Sequence, residues 1–216
     1  QGKKVGVFAN HTSLVKNTNL VDTLLKKGIN VTVVFGPEHG FRGTADAGEK
    51  IGNYTDEKTG VPVISLYGSK HKPSPEDLKN VEVMVFDIQD VGTRFYTYIS
   101  SMQEYMEAAI ENDKSLIILD RPNPNGFYVD GPMLDTNFRS FVGMQEIPVV
   151  YGLTIGEYAN YLVGEQGFKN KFMITDKRVT KNDSLLKLEI GTIQDLQAKS
   201  ELPGSASLNK IKKTLS

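Results

Sequence analysis

The sequence predicts an α/β fold, a mainly parallel sheet with helices on both faces. Three observations predict it. Short apolar runs recur at Val5–Phe8, Val31–Phe35, Val63–Tyr67, Val83–Phe86 and Leu116–Leu119. Helical segments stand between several of them, the alternation that builds parallel sheets with right-handed crossovers. Three runs also pass straight into knots of charge, at residues 36–43, 87–94 and 120–126. In such sheets ligands bind outside the carboxyl ends of the strands, so the knots suggest one converging polar site.

Each element has its own signal. Thr18–Lys27 reads as a helix, with Leu20, Leu24 and Lys27 on one face, Val21 and Leu25 beside it, and Gly28 as a left-handed stop. Residues 44–60 read as a long loop. Ser74 caps a short helix with Pro75 first and Asp77 third. Thr97–Asn112 reads as a longer helix, with Ile99, Met102, Met106 and Ile110 at helical spacing toward the sheet. Ile147–Tyr151 is strand-like. Thr154 and Glu157 form a capping box that opens a helix to about Val163. Phe172–Thr175 reads as a last strand. Leu185, Leu186, Leu188 and Ile190 fit the start of a strand or of a helix, and Ser200–Ser207 is a Gly/Pro/Ser-rich break.

Composition removes several classes of function. The 216 residues fit one large domain, or one domain plus an appendage. Lys and Arg number 25 against 26 Asp and Glu, a formal charge of −1, so no basic surplus points to nucleic acid. No stretch approaches the roughly 18 apolar residues of a membrane-spanning helix. Cysteine is absent, which excludes disulfides and thiolate chemistry. The chain opens Gln-Gly-Lys-Lys almost directly into a strand and contains no signal peptide, as a native start and a processed one both would. Neither the dinucleotide glycine fingerprint nor the P-loop pattern occurs, so no cofactor is expected. A Gly-x-Ser-x-Gly elbow is missing too.

The knots hold the candidate site residues. Glu38 follows a buried strand, where partial desolvation suits a general acid; the structural alternative is pairing with Arg42 or capping a helix. His39 could donate to a ligand, orient Glu38 or bridge to a carbonyl. His11 could share that rim and His71 sits in an exposed turn; with no nearby set of carboxylates they form no zinc pattern. Asp87 and Asp90 flank Ile88 and Gln89, and Asp87 could serve only to hold a neighbouring loop. Arg94 offers a planar fork for a carboxylate or for sugar oxygens. Tyr96 and Tyr98 offer rings with polar edges, useful against a sugar and equally common as packing residues. Asp120 and Arg121 could contact ligand or brace a loop shaped by Asn123, Pro124, Asn125 and Gly126. Glu157 is spent on its capping box.

Taken together, Pro37-Glu-His-Gly-Phe-Arg-Gly43, the run from Asp87 to Tyr98, Asp120-Arg-Pro-Asn-Pro124 and Gly152-Leu-Thr-Ile-Gly-Glu157 resemble the exo-β-N-acetylmuramidase family. The resemblance covers about residues 4–163. It implies a Rossmann-like domain without a dinucleotide, a smaller second domain, and a site in the cleft between them. It implies release of terminal N-acetylmuramic acid from peptidoglycan fragments, with Glu38 as the catalytic carboxylate and His39, Arg42, Asp90 and Arg94 near it. Asp90 or Asp87 would assist catalysis. Arg94 or Arg42 would hold the lactyl carboxylate, and Tyr96, Asp120 and Arg121 complete the expected substrate contacts. Family members are longer, so residues 1–175 are expected to form the catalytic-type domain and 176–216 a short appendage, a truncated second domain. The expected location is periplasmic or extracellular. The rival functions are a non-catalytic binding module for peptidoglycan sugars with an incomplete cleft, and a sugar- or phosphate-binding regulatory domain.

Overall fold

The computed structural model describes residues 2–43, 52–165, 172–174 and 186–192. In chain order the strands and helices are β1 (Lys4–Ala9), β2 (Leu14–Val15), β3 (Thr18–Asn19), α1 (Leu20–Lys26), β4 (Asn30–Gly36), β5 (Tyr54–Thr55) and β6 (Pro62–Ser65). Then follow α2 (Pro75–Leu78), β7 (Val83–Asp87), α3 (Tyr98–Glu111), β8 (Ser115–Asp120), a 3-10 turn (Thr136–Phe138), α4 (Ile155–Glu165), β9 (Phe172–Ile174) and β10 (Leu186–Thr192).

One sheet runs β5-β6-β4-β1-β7-β8-β10-β9. The pairs β6–β4, β4–β1, β1–β7 and β7–β8 are parallel, while β5 is antiparallel to β6. The five predicted strands therefore lie in the order 3-2-1-4-5 of a Rossmann-like sheet, and the chain reverses direction across the sheet between β1 and β7. Their carboxyl ends share one edge. Val7, Phe8 and Ala9 are successive and all fully buried, so both faces of the central strand are covered. The register sets Phe8 level with Phe35 and with Phe86. Tyr105 of α3 closes this row edge-on, 5.3 Å from Phe8 and 5.6 Å from Phe35. Its hydroxyl donates to the Gly6 carbonyl at 3.2 Å. Gly6 sits in a tight place, since a Cβ there would lie 3.1 Å from Val81.

The chain divides into two compact units. The first is Gln1–Ile88, Glu104–Ile118 and Lys171–Glu189, and it holds most of the sheet; the second is Gln89–Gln103, Leu119–Asn170 and Ile190–Ser216.

Several expectations shift. The first helix begins at Leu20, because Asn19 accepts from the Val21 N–H and caps it. Only Leu20 and Val21 are buried on it, while Leu24 and Leu25 are part-exposed and Lys27 is exposed. Gly28 does stop it, with φ +74°. Ile99, Met102 and Met106 are buried, but Ile110 is half-exposed. Ile147–Tyr151 is not a strand: it makes isolated bridges through Val150 to Thr93 and Asp130, and Pro148 has no N–H to give a ladder. Within the loop expected at 44–60, residues 44–51 lie outside the described residues and Tyr54–Thr55 pairs as β5. The open choice at 185–190 resolves as strand β10, parallel to β9. The expected boundary at 175/176, the break at 200–207 and most of the appendage lie outside the described residues.

Candidate functional site

In the first unit the site begins where β4 ends. Gly36 leaves little room for a side chain, since a Cβ would lie 3.1 Å from the Phe41 nitrogen. The Gly40 N–H closes a tight turn on the Pro37 carbonyl at 3.0 Å. His39 and Gly40 both take left-handed backbone, with φ +69° and +72°. For a histidine this costs on the order of 1 kcal/mol, and such strain concentrates at functional sites. The turn drives Phe41 into the core and leaves Glu38 and His39 half-buried. The Tyr67 hydroxyl is hydrogen-bonded to the Glu38 carboxylate, and this contact is the main reason its pKa lies above the ordinary tyrosine value.

Arg42 stacks 4.4 Å over the Phe41 ring and gives its fork to two acids. Nε and Nη2 donate to Asp56 at 2.9 and 2.7 Å, and Nη1 and Nη2 to Asp22 at 3.2 and 2.9 Å. Arg42 holds both carboxyls below their usual range and is itself pushed up, chiefly by Asp56. The carboxylates that hold Arg42 are thus Asp22 and Asp56 rather than Glu38, and they occupy most of its N–H groups.

Asp87 ends β7 and is fully buried. Its carbonyl accepts from the Ser13 hydroxyl, which also accepts from the Asn10 N–H at 2.9 Å. Asn10, in turn, accepts from the Thr12 N–H at 2.9 Å and from Asn19 at 3.3 Å. The loop after β1 is therefore tied to the end of β7 through the Asp87 backbone carbonyl, a bond that does not involve its carboxylate. His11 lies against Gly43, where a Cβ would meet its side chain at 2.8 Å.

The second unit carries the other candidates. Asp90 is 3% exposed. Its Oδ2 accepts from the Tyr151 hydroxyl and from the Gly92 N–H at 2.9 Å. Its Oδ1 has no hydrogen-bond partner among the described residues. Burial pushes the carboxyl up, against the pull of Tyr151 and the backbone. Arg94 is templated by the segment 147–149: its N–H donates to the Val149 carbonyl at 2.8 Å, and Nη1 donates to the carbonyls of Ile147 and, at 3.0 Å, Pro132. Among the described residues it meets no carboxylate, and burial lowers its pKa. Nε and Nη2 make no hydrogen bond among those residues, so one edge of the fork is available to an anion.

Tyr96 is 49% exposed beside the equally open Phe95, with ring centroids 5.9 Å apart, and lies 6.4 Å from the half-buried Tyr98. Asp120 is a cap. Its Oδ1 accepts from the Gly156 N–H and its Oδ2 from the Thr154 hydroxyl, both at 2.8 Å. Burial raises its pKa, and these two donors pull it back. Thr154 and Glu157 close their reciprocal box at 3.0 and 3.1 Å. Arg121 is half-exposed.

Some residues were not legible as site builders. Asn123 donates to the Leu153 carbonyl at 2.7 Å and packs so tightly on Gly92 that a Cβ there would lie 2.1 Å from its Oδ1. Asn125 and Gln89 each donate at 2.8 Å, to the carbonyls of Val91 and Pro122, and stitch the same two loops together. Tyr151 and Tyr67 look like packing residues in the sequence. One signal for Tyr67 was present: it ends the third apolar run, at the same end of its strand as Glu38 lies beyond the second. No group of three or more His, Asp or Glu residues able to hold a metal occurs among the described residues. No described helix is long and apolar enough to cross a membrane.

Comparison with known proteins gives a consistent result. Residues 5–195 match the family described as "Exo-beta-N-acetylmuramidase NamZ, N-terminal". The chain is 53% identical over 165 residues to the peptidoglycan β-N-acetylmuramidase NamZ of Bacillus subtilis, an overlap of 74% of this chain and 39% of that protein. Two crystal structures of DUF1343-family proteins from Bacteroides fragilis superpose with TM-scores of 0.71 and 0.72 at 42% and 41% identity. Each overlap covers 88% of this chain and 46% or 45% of the other. The chain thus spans less than half the length of these relatives.

Proposed function

Because this chain belongs to the exo-β-N-acetylmuramidase family, matched over residues 5–195, we propose that it serves the release of terminal N-acetylmuramic acid from peptidoglycan fragments. The observation that carries the reading is the left-handed turn at His39 and Gly40, which holds Glu38 at the carboxyl edge of the sheet without burying it. Glycoside hydrolysis needs a proton on the leaving oxygen and an anion or a water at the anomeric carbon. Glu38 supplies the proton in this reading. Asp90 or Asp87 assists from a buried position, Asp90 with a carboxyl that burial biases toward the protonated form.

Muramic acid differs from glucosamine by a lactyl carboxylate. Arg94 suits that group better than Arg42 does, since its Nε and Nη2 edge carries no carboxylate of its own chain among the described residues, whereas Asp22 and Asp56 already grip Arg42. The exposed ring of Tyr96 fits the C–H face of a sugar. Periplasmic or extracellular action belongs to the same reading.

Hydrolysis of a chromogenic N-acetylmuramide tests it. Turnover that disappears in Glu38→Gln supports the enzyme. Binding of N-acetylmuramic acid without turnover would make the chain a sugar-binding module instead.

A further inference from the structure

The edge of the sheet that carries Glu38 holds a second group whose placement is fixed by strand register. β4 and β6 pair in parallel, with Gly36 opposite Ser65. The Leu66 N–H extends that pairing by donating to the Gly36 carbonyl at 2.8 Å. Two residues beyond each paired position stand Glu38 and Tyr67. The Ser65 N–H also donates to Asn53 at 3.0 Å, which braces this end of β6 from its other side. Gly68 follows with φ +90°, a left-handed step directly after the tyrosine. Both strand ends thus deliver a side chain to the same level, and the Tyr67 hydroxyl is hydrogen-bonded to the Glu38 carboxylate.

We propose that Tyr67 is the positioning residue of Glu38, its hydroxyl fixing the direction in which the carboxyl faces the substrate. The inference rests on the reading of Glu38 as the catalytic carboxylate. A glutamate on a half-exposed turn has several rotatable bonds, and a carboxyl that samples many directions is seldom in the productive one. A tyrosine has only two side-chain torsions and a rigid ring, so it fixes a partner at little entropic cost. Its hydroxyl donates to an anion, the stronger kind of hydrogen bond. A tyrosine hydroxyl at its ordinary value is already protonated through neutral pH, so the donor is in place. A structural role for Tyr67 has less support, since it is part-exposed whereas its neighbour Leu66 is 2% exposed and supplies the packing.

Tyr67→Phe keeps the ring and removes the donor. On a chromogenic N-acetylmuramide its kcat is expected to fall about tenfold while KM stays within about twofold, the pattern of a lost orienting contact rather than lost binding. Unchanged kcat and KM in a variant with parental thermal unfolding would overturn the proposal. A titration of Tyr67 followed by NMR needs no turnover. In Glu38→Gln the Tyr67 titration is expected to move down toward the ordinary tyrosine value, and an unmoved titration overturns the pairing. The two readings fail differently. Full turnover in Glu38→Gln removes Glu38 from catalysis. Loss of turnover there, with parental kinetics in Tyr67→Phe, removes Tyr67 alone.

Discussion

Glu38 and the two arginines show what single residues contribute. Replacing Glu38 by Gln keeps size and removes the titrating group. Turnover is expected to drop by about 10²–10⁴-fold with little change in stability, measured as rate and thermal unfolding on the same sample. A large stability loss would instead mark a structural carboxylate. Arg42→Ala and Arg94→Ala separate the two arginines. Arg42→Ala leaves Asp22 and Asp56, 11% and 5% exposed, without their shared cation, and is expected to cost about 1–3 kcal/mol in denaturant unfolding. Arg94→Ala is expected to weaken binding of N-acetylmuramic acid by about 2–5 kcal/mol and leave N-acetylglucosamine unaffected, read by ligand titration. Equal affinity of the parent for both sugars would remove the premise. Glu38 was legible because Pro, His and two Gly around a carboxylate exceed what a turn requires. The partners of Arg42 were not, because Asp22 and Asp56 are 20 and 14 residues away and only the fold brings them together.

At the scale of elements, apolar runs marked the strands to within a residue or two, and Ser74 and Thr154 marked their helix starts through reciprocal hydrogen bonds that residue types alone imply. The segment 147–151 misled because apolar content was right and hydrogen bonding was not. Its backbone is spent on Arg94, Asp130 and Leu134, and its tyrosine on Asp90. That tie has a pH signature. Burial raises the folded-state pKa of Asp90 above the ordinary 3.8, so its contribution to stability is full below that value and is lost as pH rises through the folded value. Asp90→Asn removes this dependence. The stability of the variant relative to the parent is therefore expected to be most favourable at neutral pH and to worsen as pH falls toward about 4. Denaturant midpoints at the two pH values check it, and an identical difference at both would contradict a raised Asp90.

For the whole molecule, carboxyls pull in opposite directions as pH falls. Asp22, Asp56 and Asp77 have lowered pKa values, so their stabilisation is present above the ordinary 3.8 and is lost as pH falls through their folded values. Asp90 and Asp120 oppose that loss. The sheet order 3-2-1-4-5 sets the carboxyl ends of β1, β4, β6 and β7 at one edge of the first unit, and the charge that follows β4 and β7 in the sequence starts from that edge. The most direct test is release of N-acetylmuramic acid from a chromogenic muramide, measured side by side for this chain, its Glu38→Gln variant and the Bacillus subtilis relative. The account predicts turnover by this chain that disappears in Glu38→Gln with the fold intact. The same rate from parent and Glu38→Gln would contradict it.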